Sequence, residues 1–239
     1  MREAKAALDT SLYIQMHNVV PRFFHGLARR VCAMSASPAA RSDCPDTARE
    51  LARALLRHAR AGHPDTGFFA TVLGKRLAQK DLAGCGLSSQ ELDAMLARLF
   101  PGVLASRDAA LAALREQGAA YAAFGLDGAQ AEFTQWLRAL LDAWRTPQAD
   151  ATPWVTSVLA HACLRPDHLW RDLGLSGRED VTALLARHYP GLMARNVRNL
   201  RWKQFLAYSA REYAGLPPAP APGCPACEDY GACYPPGSA

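Results

Sequence analysis

Three cysteines near the C-terminus form the densest group of potential ligands in the chain: Cys224-Pro-Ala-Cys227, then Cys233. Two thiolates separated by two residues can bind one metal or neighbouring irons, because the intervening turn aims both sulfurs inward; the third closes the loop from the other side. A thioredoxin-like redox pair is disfavoured, since that motif opens a helix after a strand and no strand is predicted here. Structural zinc needs a fourth ligand. The body offers Cys32, Cys44, Cys85, Cys163 and seven histidines for that place. An iron-sulfur cluster relaxes the demand, because three protein thiolates can hold one with a corner bare. A bare corner suits a cluster that exchanges or transfers a metal.

Two further groups stand out. Arg195, Asn196, Arg198, Asn199, Arg201, Trp202 and Lys203 put four cations and no acid between 195 and 203. On a helix Arg195, Arg198 and Trp202 would share a face. Such a face is either simply solvated or an anion site, for a thiolate-bound cluster or an oxyanion. The second group is Cys163-Leu-Arg165-Pro166-Asp-His168-Leu169-Trp170, at a turn forced by Pro166, with Asp172 close by. Lone histidines are usually structural; His168 gains weight from its company. His63, in Gly-His-Pro-Asp, has less support. There is no nucleophile elbow, phosphate-binding glycine loop, zinc helix or paired-carboxylate pattern, so a conventional enzyme is not expected.

The elements that must position these residues read as helices. Residues 47–61 carry Thr47 and Glu50 in capping-box spacing, with Leu51, Leu55 and Ala59 on one face and a stop at Gly62. A helix from Asp65 or Thr66 buries Phe68, Phe69, Val72, Leu73 and Leu77. Another, 88–100, opens with Ser88 and Glu91 in capping-box spacing, buries Leu92, Met95, Leu96 and Leu99, and stops before Pro101. Two more are expected at about 107–122 and at 128–145, where Phe133, Trp136, Leu137, Leu140, Leu141 and Trp144 repeat as core at helical spacing.

An internal duplication organises the series. Gly86-Leu87-Ser88 with Glu91 returns as Gly174-Leu175-Ser176 with Glu179, and Leu96-Ala97-Arg98-Leu99-Phe100-Pro101-Gly102 returns as Leu185-Ala186-Arg187-His188-Tyr189-Pro190-Gly191, with one residue inserted between the pieces. Each copy reads as a helix, a tight turn supplying the next N-cap, a second helix and a Pro-Gly stop. The expected fold is all-α: a compact multi-helix domain (46–211) with two related hairpins, and a Pro/Cys-rich tail (212–239). Residues 1–45 form an N-terminal segment of unassigned role.

The tail from Pro217 onward holds seven of the chain's sixteen prolines and three of its seven cysteines, without lysine or arginine. It has little to bury, so something other than a hydrophobic core must order it. Of the net +5 over 239 residues, Glu212 onward contributes three acids and no cation, which leaves +8 on residues 1–211. That charge, without an aromatic-rich platform, is weak for nucleic acid. No apolar run approaches a membrane span and no signal segment is evident, so a reducing cytoplasm is expected, with the thiols as ligands or buried small residues.

These pieces together resemble the NifQ family of nitrogen fixation. The residues that carry the likeness are Cys163-Leu-Arg-Pro-Asp-His-Leu-Trp-Arg-Asp-Leu-Gly-Leu175, His188-Tyr-Pro with Ala194-Arg-Asn196, Arg201-Trp-Lys-Gln-Phe205, and Cys224-Pro-Ala-Cys-Glu-Asp-Tyr-Gly-Ala-Cys233. The family pattern has four cysteines, Cys-x4-Cys-x2-Cys-x5-Cys; here the first position is Ala219. The resemblance implies a non-enzymatic carrier that binds an iron-sulfur cluster of 3Fe-4S or 4Fe-4S type, incorporates molybdenum from molybdate, and supplies it to the nitrogenase cofactor-assembly proteins of NifEN and NifH type. Cys224, Cys227 and Cys233 would be ligands, with His168 or Cys163 as a fourth unless the corner stays open. Arg195, Arg198, Arg201 and Lys203 would screen the anionic cargo or dock a partner. The rival reading is a helical interaction module with a structural zinc knuckle.

Overall fold

The computed structural model describes residues 43–121 and 125–235. The N-terminal segment up to 42, including Cys32, lies outside the described residues. Among those described there are helices and turns and no strand, as an all-α fold requires.

Chain order runs α1 (Asp43–Leu56), α2 (Thr66–Ala78), α3 (Ser89–Leu99), α4 (Ala112–Ala119), α5 (Gly128–Ala143), α6 (Thr152–Ala162), α7 (Leu169–Asp172), α8 (Arg178–His188), α9 (Pro190–Ala194), α10 (Trp202–Tyr213) and α11 (Tyr230–Cys233). Apolar stripes explain the packing: α1 lies along α2, and α5 packs against α10 and α6. Phe69, Leu73, Leu77, Met95, Leu99, Leu137, Leu141 and Leu159 meet in one core. No helix among the described residues is long and apolar enough to cross a membrane.

Local chemistry decides most of the boundaries. Ser88 accepts from the Glu91 N–H at 3.1 Å while Glu91 Oε2 accepts from the Ser88 N–H at 2.7 Å, the reciprocal box expected for α3. Thr47 and Glu50 do not play that part, because α1 already begins at Asp43, and it ends at Leu56 rather than near Gly62. The helix expected from 107 opens as a 3-10 turn, Ala109–Leu111, fixed by Asp108 accepting from the Ala110 N–H. Trp136 and Trp144 are only partly buried, each with a guanidinium over its ring, that of Arg211 and of Arg195 respectively.

The duplication is visible in the backbone. Gly86 and Gly174 share φ values of +78° and +74°, a region closed to most residues with a side chain. The helices that follow end alike, on Phe100 (φ −131°, ψ 60°) and Tyr189 (φ −139°, ψ 54°), both fully buried. The inserted residue accounts for the difference. In the second copy the N-cap moves to Gly177, and the Ser176 N–H donates to Asp180 rather than to a residue three positions on. The second Pro-Gly is also not a stop: Pro190 starts α9.

Candidate metal centre

The tail is ordered by docking on the turn after α6. Ala221 and Cys224 are buried, and a Cβ on Gly223 would fall on the Arg165 carbonyl and 2.6 Å from Leu164 O. Only glycine permits this approach. Gln204 Nε2 donates to the Cys233 carbonyl at 2.6 Å, and Tyr234 packs edge-on against Tyr208 of α10 and tilted against Tyr230.

Docking brings Cys224, Cys227 and Cys233 onto one cavity of about 190 Å³, with His168, Trp170, Arg201 and Tyr234 on the same wall. None of the three is in a disulfide. Tyr234 OH donates to Cys224 Sγ at 3.8 Å. Burial raises the Cys233 thiol, Arg201 opposes the rise, and the neighbouring Cys224 and Cys227 add to it. Among the described residues the trio whose ligand atoms all lie within 4.8 Å of one another is His168, Glu228 and Asp229, not the three thiols. Sulfurs around a single tetrahedral zinc would be about 3.8 Å apart, from bonds of about 2.3 Å. These line a space instead.

His168 and Arg201 meet on the tail. His168 Nε2 stands 2.7 Å and Arg201 Nη1 2.8 Å from Asp229 Oδ2, and Arg171 Nη1 stands 2.5 Å from Glu228 Oε1. The hydrogen bonds of Arg201 and His168 hold the Asp229 carboxyl below its usual range.

The other expected site residues are placed differently. Cys163 is fully buried, off the cavity wall, and burial pushes its thiol up to about 12, with Lys203 opposing. Arg195 and Arg198 do not share a helix face with Trp202. The chain breaks between α9 and α10, where Asn199 takes φ +52° and Asn196 clasps Leu200 through two bonds of 2.9 Å. Both arginines are exposed, and Arg195 pairs with Glu212 at 3.6 Å. Lys203 is on the wall, but its buried ammonium donates to Arg165 O at 2.8 Å, to Asp167 O and to Asp172 Oδ2 at 2.7 Å. It fastens the loop that carries His168 and has little left for a ligand. Ala219 is half-buried and not on the wall. His63 lies elsewhere, 2.9 Å from Asp150. Asp229, Gln204 and Tyr234 were not evident as site residues from sequence; the only signal was their position within or beside matched motifs.

A protein-family model described as NifQ matches residues 68–235, which span every group on this cavity. The chain belongs to the NifQ family. It is 32% identical to Protein NifQ of Azotobacter vinelandii over 162 residues, which is 66% of this chain and 83% of the relative. It is 39% identical to the Protein NifQ homolog of Sinorhizobium fredii over 98 residues, 41% of this chain and 43% of that protein. With Protein NifQ of Rhodobacter capsulatus it shares 36% over 97 residues, 39% of this chain and 52% of the relative. No solved structure matches this NifQ-family chain.

Proposed function

We propose that the chain is a carrier which holds an iron-sulfur cluster at Cys224, Cys227 and Cys233, takes up molybdenum there, and passes it to the nitrogenase cofactor-assembly proteins. Membership of the NifQ family puts the chain in nitrogen fixation, on the side of iron-molybdenum cofactor biosynthesis. The observation that carries the finer reading is the placement of three thiols around a cavity, rather than about a point, with a histidine and an arginine on the same wall.

The donor set fits a cluster. Three thiolates supply anionic sulfur ligands, Tyr234 OH donates to one of them, and Gln204 fixes the backbone of another. A bound cluster would supply an uncapped metal corner; this chain's residues exclude water from one side, through Trp170 and Tyr230, and place Arg201 where negative charge gathers. His168 is the side chain best placed to fill a fourth position, because Cys163 is sealed away.

Anaerobic reconstitution with iron and sulfide, followed by metal and sulfide analysis, tests this reading. Iron and sulfide in near-equal amounts, a brown colour, and molybdenum uptake from molybdate are expected. One zinc per colourless chain, with neither iron nor sulfide retained, would establish the zinc knuckle instead.

A further inference from the structure

A groove of about 480 Å³ lies between α1, α2 and α7 with the turn after it, and it shares Trp170 with the tail cavity. Small residues make room for it. A Cβ on Gly74 would stand 2.5 Å from the Ala48 carbonyl oxygen and 2.9 Å from Ala52 N, so glycine lets α1 and α2 approach closely. The turn after α7 is closed against α2 by Gly174, at φ +74°, where a Cβ would come within 3.3 Å of Lys75 Cδ. Ala48, Ala52, Thr71, Trp170 and Leu175 give the groove a largely apolar lining.

Its charge has one sign. Arg49, Lys75 and Arg171 are on the wall, and no acid is. Arg49 is engaged by Asp46, and Arg171 by Asp167 and Glu228. Lys75 differs: its half-buried ammonium donates to the Arg171 carbonyl, and among the described residues no carboxylate pairs with it. Burial pushes its pKa down and Arg76 adds to that, while Asp172 and Asp167 oppose. A carboxylate brought into the groove would supply the missing counter-charge. An apolar floor with cations at its edge is the pattern that an amphipathic, acidic segment reads.

The chain itself offers no such segment. Residues 1–42 hold six lysines and arginines against two acids. A second copy would bring its tail acids already engaged, Glu228 by Arg171, Asp229 by Arg201 and Glu212 by Arg195. The complementary charge must come from another protein.

We propose that this groove docks the protein that receives the cargo, which presents there an apolar side chain flanked by carboxylates. The docking rests on the carrier reading, because a handover requires the two proteins to meet. It uses none of the thiols. Trp170 lines both concavities and Arg171 ties the tail through Glu228, so a partner seated in the groove touches residues that also serve the thiol cavity.

The test is calorimetric titration of the full chain, reconstituted with iron and sulfide, with purified nitrogenase cofactor-assembly proteins. Lys75→Glu should weaken binding by about tenfold or more, and Thr71→Trp, which fills the groove, should abolish it. Lys75→Arg and Thr71→Ser should bind as the unmodified chain does. Iron and sulfide per chain should be the same in all four, because neither residue is on the thiol cavity. Unchanged affinity in Lys75→Glu and Thr71→Trp, or no binding of any assembly protein by the unmodified chain, overturns the groove. Hydrogen exchange of the unmodified chain decides the matter should a variant fail to fold: the bound partner should slow exchange at 48–52, 71–75 and 174–175, and protection confined to other segments overturns the proposal. A photo-reactive side chain in place of Thr71 should capture the partner; capture of residues 1–42 or of a second copy instead overturns it. The cluster reading is judged separately. A chain that docks through the groove yet retains neither iron nor sulfide keeps the groove and loses the cluster, and one that retains both but docks elsewhere does the reverse.

Discussion

A thiol becomes a ligand when it can lose its proton where a metal can reach it, and the described cysteines separate on that criterion. Cys227 and Cys233 are half-exposed on a cavity that also carries Cys224, while Cys163 is fully buried with its thiol pushed up to about 12. Cys163→Ala should therefore retain the iron of the unmodified chain after reconstitution and cost about 1–2 kcal/mol in denaturant unfolding, whereas Cys227→Ala should lose most of the iron at little cost in stability. Iron lost equally from both would return Cys163 to the ligand set. The spacing of Cys224, Cys227 and Cys233 was legible because ligand geometry across a short loop is local. Lys203 was not, since a basic residue in a basic stretch reads as a surface cation until the carbonyls of Arg165 and Asp167 are seen around it.

At the scale of elements, the same stretch shows where periodicity misleads. Arg195, Arg198 and Trp202 fall at helical spacing, yet the amide of Asn196 clasps Leu200 and competes with helical bonding, and Asn199 turns the chain left-handed. That break is what makes Arg201 the start of α10 and aims it at the tail. Helix α2, with its dense run of buried apolar residues, and α3 and α5, with their capping boxes, matched expectation because their signals are contained within one segment. The docking of the tail involves pairs some sixty residues apart, His168 with Asp229 for one, and no local pattern encodes it. Gly223→Ala probes this docking directly. The added methyl cannot fit against the Arg165 carbonyl, so residues 217–235 should become sensitive to limited proteolysis and iron retention should drop. The melting of the helical body should move by no more than about 2–4 °C. A protected tail in that variant would mean that the turn at Leu164 and Arg165 yields easily.

For the whole molecule, the balance of buried charge sets its response to acid. His161 sits near the end of α6, and burial together with Arg165, Arg76 and Arg138 pushes its pKa down to about 4, against 6.5 for an ordinary histidine. Above pH 6.5 both the folded and the unfolded chain carry it neutral, so it adds no pH dependence there. Between 6.5 and 4 the unfolded chain takes a proton that the folded chain refuses, and stability falls by an amount on the order of 3 kcal/mol. Thermal melts should decline steadily from pH 7 to 5, and His161→Gln should flatten much of that slope; a variant as steep as the parent would assign it to other groups. The distribution of tryptophan has an optical consequence. Of the five in the chain, Trp170 and Trp202 line the cavity, while Trp136, Trp144 and Trp154 are off its wall. Any cargo that absorbs near-ultraviolet emission would darken the first two most strongly, so loss of tryptophan emission would report occupancy.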